Sequence, residues 1–265
     1  MSDRNDIDSA AVERAMRRLK KNERKSRFTI NRSENYQVLE EVFDLPTLMT
    51  LHNMMNSRII HYLNGVVSAG KEARVYWGVR EDGSNVAVKI YLTISAEFRK
   101  RLPYIIGDPR FKRVKKDVRS LVNLWARKEY KNLKTTYTFG IPCPEPYVVA
   151  KNVLLMQFIG ESGKPAPTLD KIDVSKQDYS RTISLIGKLY KDVRLVHADL
   201  SEYNIFKFKG KLMLFDFGSA VYNSHPRAEE FLVRDITNIN RFFSKRDLDV
   251  LSLDDSLKLV KGNKF

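Results

Sequence analysis

The sequence predicts an α+β fold in two lobes: a small antiparallel-sheet lobe over residues 66–157 and a mainly helical lobe over 158–265, preceded by an N-terminal helical extension over 1–65. Three observations carry this. From Val66 onward, short β-rich runs at Val66-Val67, Arg74–Val79 and Val86–Leu92 are separated by the turn-forming stretches Ser-Ala-Gly-Lys-Glu and Glu-Asp-Gly-Ser-Asn. Farther on, Ile205–Phe208 and Lys211–Phe215 flank a two-residue turn signal, Lys209-Gly210, and read as a β-hairpin. Before that hairpin a helix is expected from about Lys176 to Lys191. After it, Phe231, Leu232, Ile236, Ile239, Phe242 and Phe243 recur at helical spacing and read as core.

At 265 residues, 43% of them hydrophobic, the chain is long enough for one large or two modest domains with a real core. Its one cysteine, Cys143 between Pro142 and Pro144, excludes an intrachain disulfide and a thiolate metal cluster and points to a reducing, cytoplasmic setting. The chain opens with Asp3, Arg4 and Asp6 and nowhere runs to about 18 apolar residues, so neither a signal peptide nor a membrane span is expected. The formal charge of +15 calls for an anionic partner. Between Arg17 and Arg27, seven basic residues face a single acid, Glu23; between Arg110 and Arg119, six face only Asp117. Such runs are usually solvated faces, but two of them with this net charge point to RNA. Aromatic residues are sparse in both, so phosphate contact is expected rather than base reading.

In the extension, Ala10–Arg27 has high helical propensity, and Leu45–Leu63 carries apolar residues at loosely helical spacing after Pro46. His52 and His61 have no metal-ligand partners at a fitting spacing and read as surface or packing residues. The first turn of the sheet, Ser68 to Val75, has small side chains at 68 and 73 around Gly70, which lets backbone N–H groups approach phosphate oxygens. Ser68, Gly70, Lys71 and Val75 are therefore nucleotide candidates, with Ala87 on a following strand. Lys89 ends the apolar run Val86-Ala87-Val88, where an unpaired ammonium would be costly. Glu129, on a helix expected over Leu121–Leu133, is its candidate partner; Glu97 competes but follows the strand too closely. Strands at Tyr147–Ala150 and Val153–Phe158, joined at Lys151-Asn152, complete the sheet. Met156, Gln157 and Ile159 then mark the crossing between lobes, and Gly163 to Pro167 is a linker.

The chemistry concentrates in Val196–Gly218. His197, Asp199 and Asn204 follow H-x-D-L-x-x-x-N spacing, and Asp216-Phe217-Gly218 closes the hairpin. A two-residue turn sets residue 204 opposite about residue 215, so Asn204 and Asp216 meet at the hairpin mouth, roughly 5–8 Å apart. An amide oxygen and a carboxylate there make a hard-oxygen site for Mg²⁺, with Mn²⁺ as a substitute. Asp199, on the loop entering the hairpin, can orient or deprotonate an attacking hydroxyl. Any hairpin can carry Asp and Asn at its ends, but the whole set at this separation fits a phosphotransferase using ATP and Mg²⁺. Lys89 would then face the α- and β-phosphates, and backbone groups at Gln157 and Ile159 would bond adenine.

Six phrases add a resemblance: SAGKEARVY at 68–76, VAVKIY at 86–91, YIIGDPRF at 104–111, WARKEYKNL at 125–133, LVHADLSEYNI at 195–205 and HPRAEEFLVRDITNINRFF at 225–243. Together they resemble the RIO family of atypical protein kinases, in particular its type-1 branch, over most of residues 66–245. The resemblance implies a two-lobed, reduced protein-kinase-like fold with ATP between the lobes. It also implies serine/threonine kinase and ATPase activity with the chain itself as a phosphoacceptor, and a role in maturing a pre-small-ribosomal-subunit particle of RNA and protein. By position, Asp199 takes the catalytic role, Asn204 and Asp216 the metal roles, and Lys89 with Glu129 the ion pair. Ser95 and Ser120, which flank the insertion, are the nearest candidates for autophosphorylation.

Departures from ordinary protein kinases have their own content. Only Gly70 of three loop glycines is present, Ala198 replaces the arginine of H-R-D, and no A-P-E follows Gly218. The 47 residues after it are too few for the usual peptide-holding segments. His225-Pro226 reads as a turn anchor, and Arg234 and Asp235 are placed to brace the catalytic loop. Two other readings stay open. One is a small-molecule kinase of the aminoglycoside or choline type, against which the excess of Lys and Arg argues. The other is an RNA-binding assembly factor for which ATP is a conformational ligand.

Overall fold

Asp44 opens the second of two compact units, Met1–Phe43 and Asp44–Phe265, in the computed structural model, which describes residues 43–93, 101–106, 108, 110–111 and 117–262. The helix expected at Ala10–Arg27 and the first basic run lie outside the described residues. Helix α1 (Leu45–Asn56) is capped by the Asp44 carboxylate, which accepts the Thr47 N–H at 3.0 Å. It stops seven residues short of the expected Leu63. The chain turns through Arg58 (φ 59°), and the His61 N–H donates to the Val79 carbonyl at 2.8 Å, so β1 starts at Tyr62 rather than at Val66. Cross-strand pairing to Val79 is a long-range interaction, and it overrides the local helical spacing of Tyr62 and Leu63.

Strands β1 (Tyr62–Ala69), β2 (Ala73–Val79), β3 (Asn85–Tyr91), β4 (Pro146–Ala150) and β5 (Val153–Gln157) form one sheet in the order β1-β2-β3-β5-β4, antiparallel throughout. Central β3 is buried from Val86 to Tyr91, its apolar residues flanking the one charged side chain, Lys89. Helix α2 (Val118–Thr138) is longer than expected at both ends. Its N-cap is Asp117, and it buries Leu121, Val122, Trp125, Ala126 and Leu133 together with the polar Lys128, Glu129 and Asn132.

Beyond β5, short strands β6 (Gly160–Glu161) and β7 (Lys164–Pro165) lead to α3 (Lys176–Lys191), whose bounds match the sequence expectation. Ser175 and Asp178 close a capping box at its start. Strand β8 (Leu195–Val196) precedes the hairpin β9 (Ile205–Phe208) and β10 (Lys211–Leu214), which pair Phe208 with Lys211. Lys209 (φ 49°) and Gly210 (φ 74°) both take left-handed conformations, the mark of a type I′ turn. Strand β11 (Val221–Tyr222) pairs with β8, and α4 (Ala228–Ser244) buries all six apolar residues read as core. Helix α5 (Leu253–Lys261) ends in Gly262 at φ 79°. No helix among the described residues is long and apolar enough to cross a membrane.

Gly160 has φ +154°, and a Cβ there would lie 2.1 Å from the Lys164 carbonyl oxygen and 2.9 Å from Pro165 Cα. Backbone cannot rotate away as a side chain can, so Gly160→Ala should cost at least about 2 kcal/mol. Urea unfolding of the two proteins checks this.

His197 is buried beside the Phe217 ring at 4.9 Å, with Nε2 3.0 Å from the Phe215 carbonyl oxygen. Burial pulls its pKa from 6.5 down to about 4, against the pull of the Phe215 carbonyl. The folded value lies below the unfolded one, so this contribution is present at neutral pH and is lost as pH falls from 6.5 to about 4. It amounts to about 3 kcal/mol. Burial pushes Glu129 and Asp235 up to about 7, which acts with the opposite sign, so the comparison needed is with His197→Asn. Melting curves from pH 7.5 to 4 should show wild type losing more stability than the variant.

Candidate active site

A cleft of about 590 Å³ lies between the sheet and the β9–β10 hairpin. The residues nominated for catalysis, ATP and metal all line it: Ser68, Gly70, Lys71, Val75, Ala87, Lys89, Glu129, Met156, Gln157, Ile159, Asp199, Asn204 and Asp216. The turn between β1 and β2 is tight, with the Gly70 N–H donating to the Ala73 carbonyl at 3.0 Å.

Pairing of β3 with β2 and β5 fixes Lys89, which stands opposite Val75 on one side and Leu154 on the other. Its Nζ lies 2.9 Å from both carboxylate oxygens of Glu129 and 2.9 Å from Asp216 Oδ1. The Tyr91 hydroxyl also donates to Glu129. Burial would lower the Lys89 pKa, but the two carboxylates outweigh it and hold the ammonium above its ordinary value. Glu129 is thus the partner; Glu97 lies outside the described residues.

The hairpin mouth forms as its turn dictates. The Phe215 N–H donates to the Asn204 carbonyl at 3.1 Å, bringing Asn204 beside Asp216. Asn204 Nδ2 donates to the Asp199 carbonyl at 2.7 Å, which assigns Oδ1 as the free-facing acceptor of that amide. Asp216 takes φ 64° and keeps its side chain 46% exposed to the cleft. Burial opposes its charge, yet Lys89 prevails and keeps the carboxyl below the usual range. Asp199 is pushed the other way, by burial and by the neighbouring charge of Asp216, against Arg101 and Arg234.

The loop carrying Asp199 is braced from α4, as the placement of Arg234 and Asp235 suggested. The buried Asp235 carboxylate accepts the N–H groups of Ala198 at 2.7 Å and Leu200 at 2.9 Å, and Arg234 donates to the Ala198 carbonyl. His225 is indeed an anchor: its Nε2 is 2.9 Å from the Ile106 carbonyl oxygen, and its Nδ1 accepts the Arg227 N–H at 3.1 Å.

Several participants escaped the sequence reading. Lys128, fully buried, donates to the carbonyls of Gly218 and Ala220, and Asn132 Nδ2 reaches those of Phe217 at 2.9 Å and Ala220 at 2.8 Å. The available signal was Lys128 on the apolar side of its helix. Glu72 and Arg101 also line the cleft. The second basic run is corrected in part. Arg110 is turned inward to Asp108 and to Asn132 Oδ1 at 2.8 Å, and Arg119 pairs with Asp44 at 3.0 Å. Lys112 to Lys116 lie outside the described residues, as does Ser95. Ser120 donates its N–H to the Asp117 cap and does not line the cleft.

At the crossing, the Gln157 N–H already donates to the Glu145 carbonyl at 2.7 Å, and the Ile159 carbonyl accepts the Ala166 N–H at 2.9 Å. The complementary pair, the Gln157 carbonyl and the Ile159 N–H, are the groups to consider for a ligand.

Comparison with known proteins identifies the family and the fold. The family model described as RIO domain matches residues 74–256. The serine/threonine-protein kinase rio1 of Schizosaccharomyces pombe is 40% identical over 228 residues, covering 83% of this chain and 46% of that protein. The RIO-type serine/threonine-protein kinase Rio1 of Haloferax volcanii is 34% identical over 246 residues, covering 92% of this chain and 84% of that protein. The chain thus spans about half the length of the first of these relatives. Among solved structures, the Rio2 kinase–ADP/Mg²⁺–phosphoaspartate complex from Chaetomium thermophilum matches with a TM-score of 0.61 at 24% identity, over 80% of this chain and 65% of that one, which establishes the kinase-like α+β fold. On the match over residues 74–256 and the identity to these relatives, the chain belongs to the RIO domain family.

Proposed function

We propose that the chain is a RIO-type serine/threonine protein kinase and ATPase that uses ATP with Mg²⁺. The observation that carries this is the meeting, in one cleft, of Lys89 with Glu129 and with Asp216, partners 40 and 127 residues away. The named kinase relatives support the same reading.

The donor set suits Mg²⁺: Asp216 has a second carboxylate oxygen beyond the one facing Lys89, and Asn204 presents an amide oxygen. Among the described residues no three His, Cys, Asp or Glu side chains gather to hold a metal, so phosphate oxygens would complete its shell. When bound, the metal would neutralise phosphate charge. The chain's own residues do the rest. Lys89 orients the α- and β-phosphates, the Gln157 carbonyl and Ile159 N–H hold adenine, and Asp199 receives the acceptor proton. A raised Asp199 pKa suits that step, because a base works best near the working pH.

The acceptor is the chain's own serine or threonine, or a ribosomal precursor particle in the cytoplasm. The +15 charge supports an RNA-containing partner. Because the neighbouring Rio2 structure holds a phosphoaspartate, and Asp199 and Asp216 both face the cleft here, a carboxylate acceptor belongs in the same test.

With γ-labelled ATP and Mg²⁺, wild type should release labelled phosphate and label itself. Asp199→Asn and Asp216→Asn should each reduce this by about 10²- to 10⁴-fold. Label resistant to hydroxylamine marks a hydroxyl acceptor; labile label marks an aspartate. Tight ATP binding with no turnover would sink the kinase reading and favour nucleotide-gated RNA binding. A separate outcome concerns stability: Lys89→Met leaves Glu129 buried without its cation and should cost about 3 kcal/mol in nucleotide-free denaturation.

A further inference from the structure

Arg101 stands where a transferred phosphoryl group needs a cation, and the kinase reading above leaves it without a role. It lines the cleft with Lys89, Asp199 and Asp216. Its Nη2 and Nε lie 2.7 Å and 3.0 Å from Glu72 Oε1, in the turn between β1 and β2, and its Nη1 is 3.3 Å from Ser219 Oγ, just past Asp216. The guanidinium therefore spans the phosphate end of the cleft, with the rings of Trp125 and Tyr104 at 5.5 Å and 5.9 Å. Its side chain remains 24% exposed.

Charge balance in the cleft leaves a demand for this cation. Lys89 is shared by two carboxylates, and Asp199 adds a third beside them. Ala198 stands where ordinary kinases carry an arginine. Among the described residues lining the cleft, Arg101 is the one arginine. A guanidinium accepts a carboxylate or a phosphate in the same forked geometry, and a doubly charged terminal phosphate competes well against a single carboxylate.

Building on the kinase reading, we propose that Arg101 is a catalytic residue whose guanidinium is held by Glu72 until the terminal phosphate of a nucleoside triphosphate replaces that carboxylate. The bond from the γ-phosphorus to the β–γ bridging oxygen breaks and a bond to the acceptor hydroxyl oxygen forms. The hydroxyl proton passes to Asp199, ADP leaves, and Arg101 neutralises the charge on the moving group.

The test compares ATP and ADP binding by calorimetry with Mg²⁺, together with single-turnover transfer at saturating ATP. Arg101→Met should bind ATP about tenfold more weakly while ADP affinity changes less than about twofold, because only ATP carries the group it meets. Its transfer rate should fall about 10³-fold, and Arg101→Lys should recover only part of the loss. Glu72→Gln, which removes the competing charge, should tighten ATP relative to ADP. Equal losses for both nucleotides, or unchanged transfer, would reduce Arg101 to a brace between Glu72 and Ser219 and overturn the proposal. A wild type that binds ATP but transfers nothing defeats the kinase reading, and the catalytic role with it; an active wild type with an unaffected Arg101→Met defeats the role alone.

Discussion

A single ammonium, Lys89 Nζ, is the point on which the two halves of the fold depend. It arrives on the central strand of the sheet and meets Glu129 from α2 and Asp216 from the end of the hairpin, each at 2.9 Å. A charge this buried is tolerated only when paired, and here one pair lies within the sheet-and-helix half and the other reaches across the cleft. The Tyr91 hydroxyl, two residues along the same strand, adds a further donor to Glu129. Sheet register, helix position and hairpin placement are thus three conditions on one site. Asp216 is the most exposed of the three side chains and the one best placed to exchange Lys89 for another cation.

The residues around that site occupy conformations they would not choose alone. Ala198 (φ 63°) and Asp216 (φ 64°) are both left-handed without being glycine, at a cost of order 1 kcal/mol each. Hydrogen bonds from two directions hold them there. Asp235 and Arg234, from α4, grip the N–H and carbonyl of Ala198. Lys128 and Asn132, from α2, grip the carbonyls of residues 217, 218 and 220 just past Asp216. Burial pulls the Lys128 pKa down to about 7, with Arg110 adding to it and Asp108 opposing. Its ammonium is stabilised by carbonyl oxygens in place of a carboxylate. That is why a helix of one half can fix the backbone of the other.

Much of this was legible in the sequence where the signal is local. The Lys209-Gly210 turn implied the pairing of residue 204 with 215, and the hydrogen bond between them is present. The run Val86-Ala87-Val88-Lys89 implied a buried strand with a charge to be answered, and Glu129 answers it. What was not legible depends on contacts distant in sequence. The end of α1 is set by strand pairing with Val79, and the two-residue strands β8 and β11 are too short to show a period. Arg110 reads as part of a solvated basic run because its acid, Asp108, falls just ahead of that run and nothing local announces Asn132, 22 residues on, as its second partner. Lys128 lies on the apolar side of its helix, but a lysine there signals a stem lying over apolar surface as readily as an ammonium buried among carbonyls.

Helix α2 also explains why these two sets of bonds belong to one device. Lys128 and Glu129 are consecutive, so their side chains leave the helix about 100° apart. Both are buried, one at 0% and the other at 1% exposure, and they face different partners: Glu129 the sheet's lysine, Lys128 the turn after Asp216. Asn132 stands one turn beyond Lys128 and extends the same contact. A small rotation of α2 cannot relieve one contact while keeping the other. It would strand a carboxylate and an ammonium together, each costing several kcal/mol when buried without a partner. Helix and the turn after Asp216 therefore keep their places jointly or leave them jointly, and the hairpin, tied to that turn through Asp216, follows.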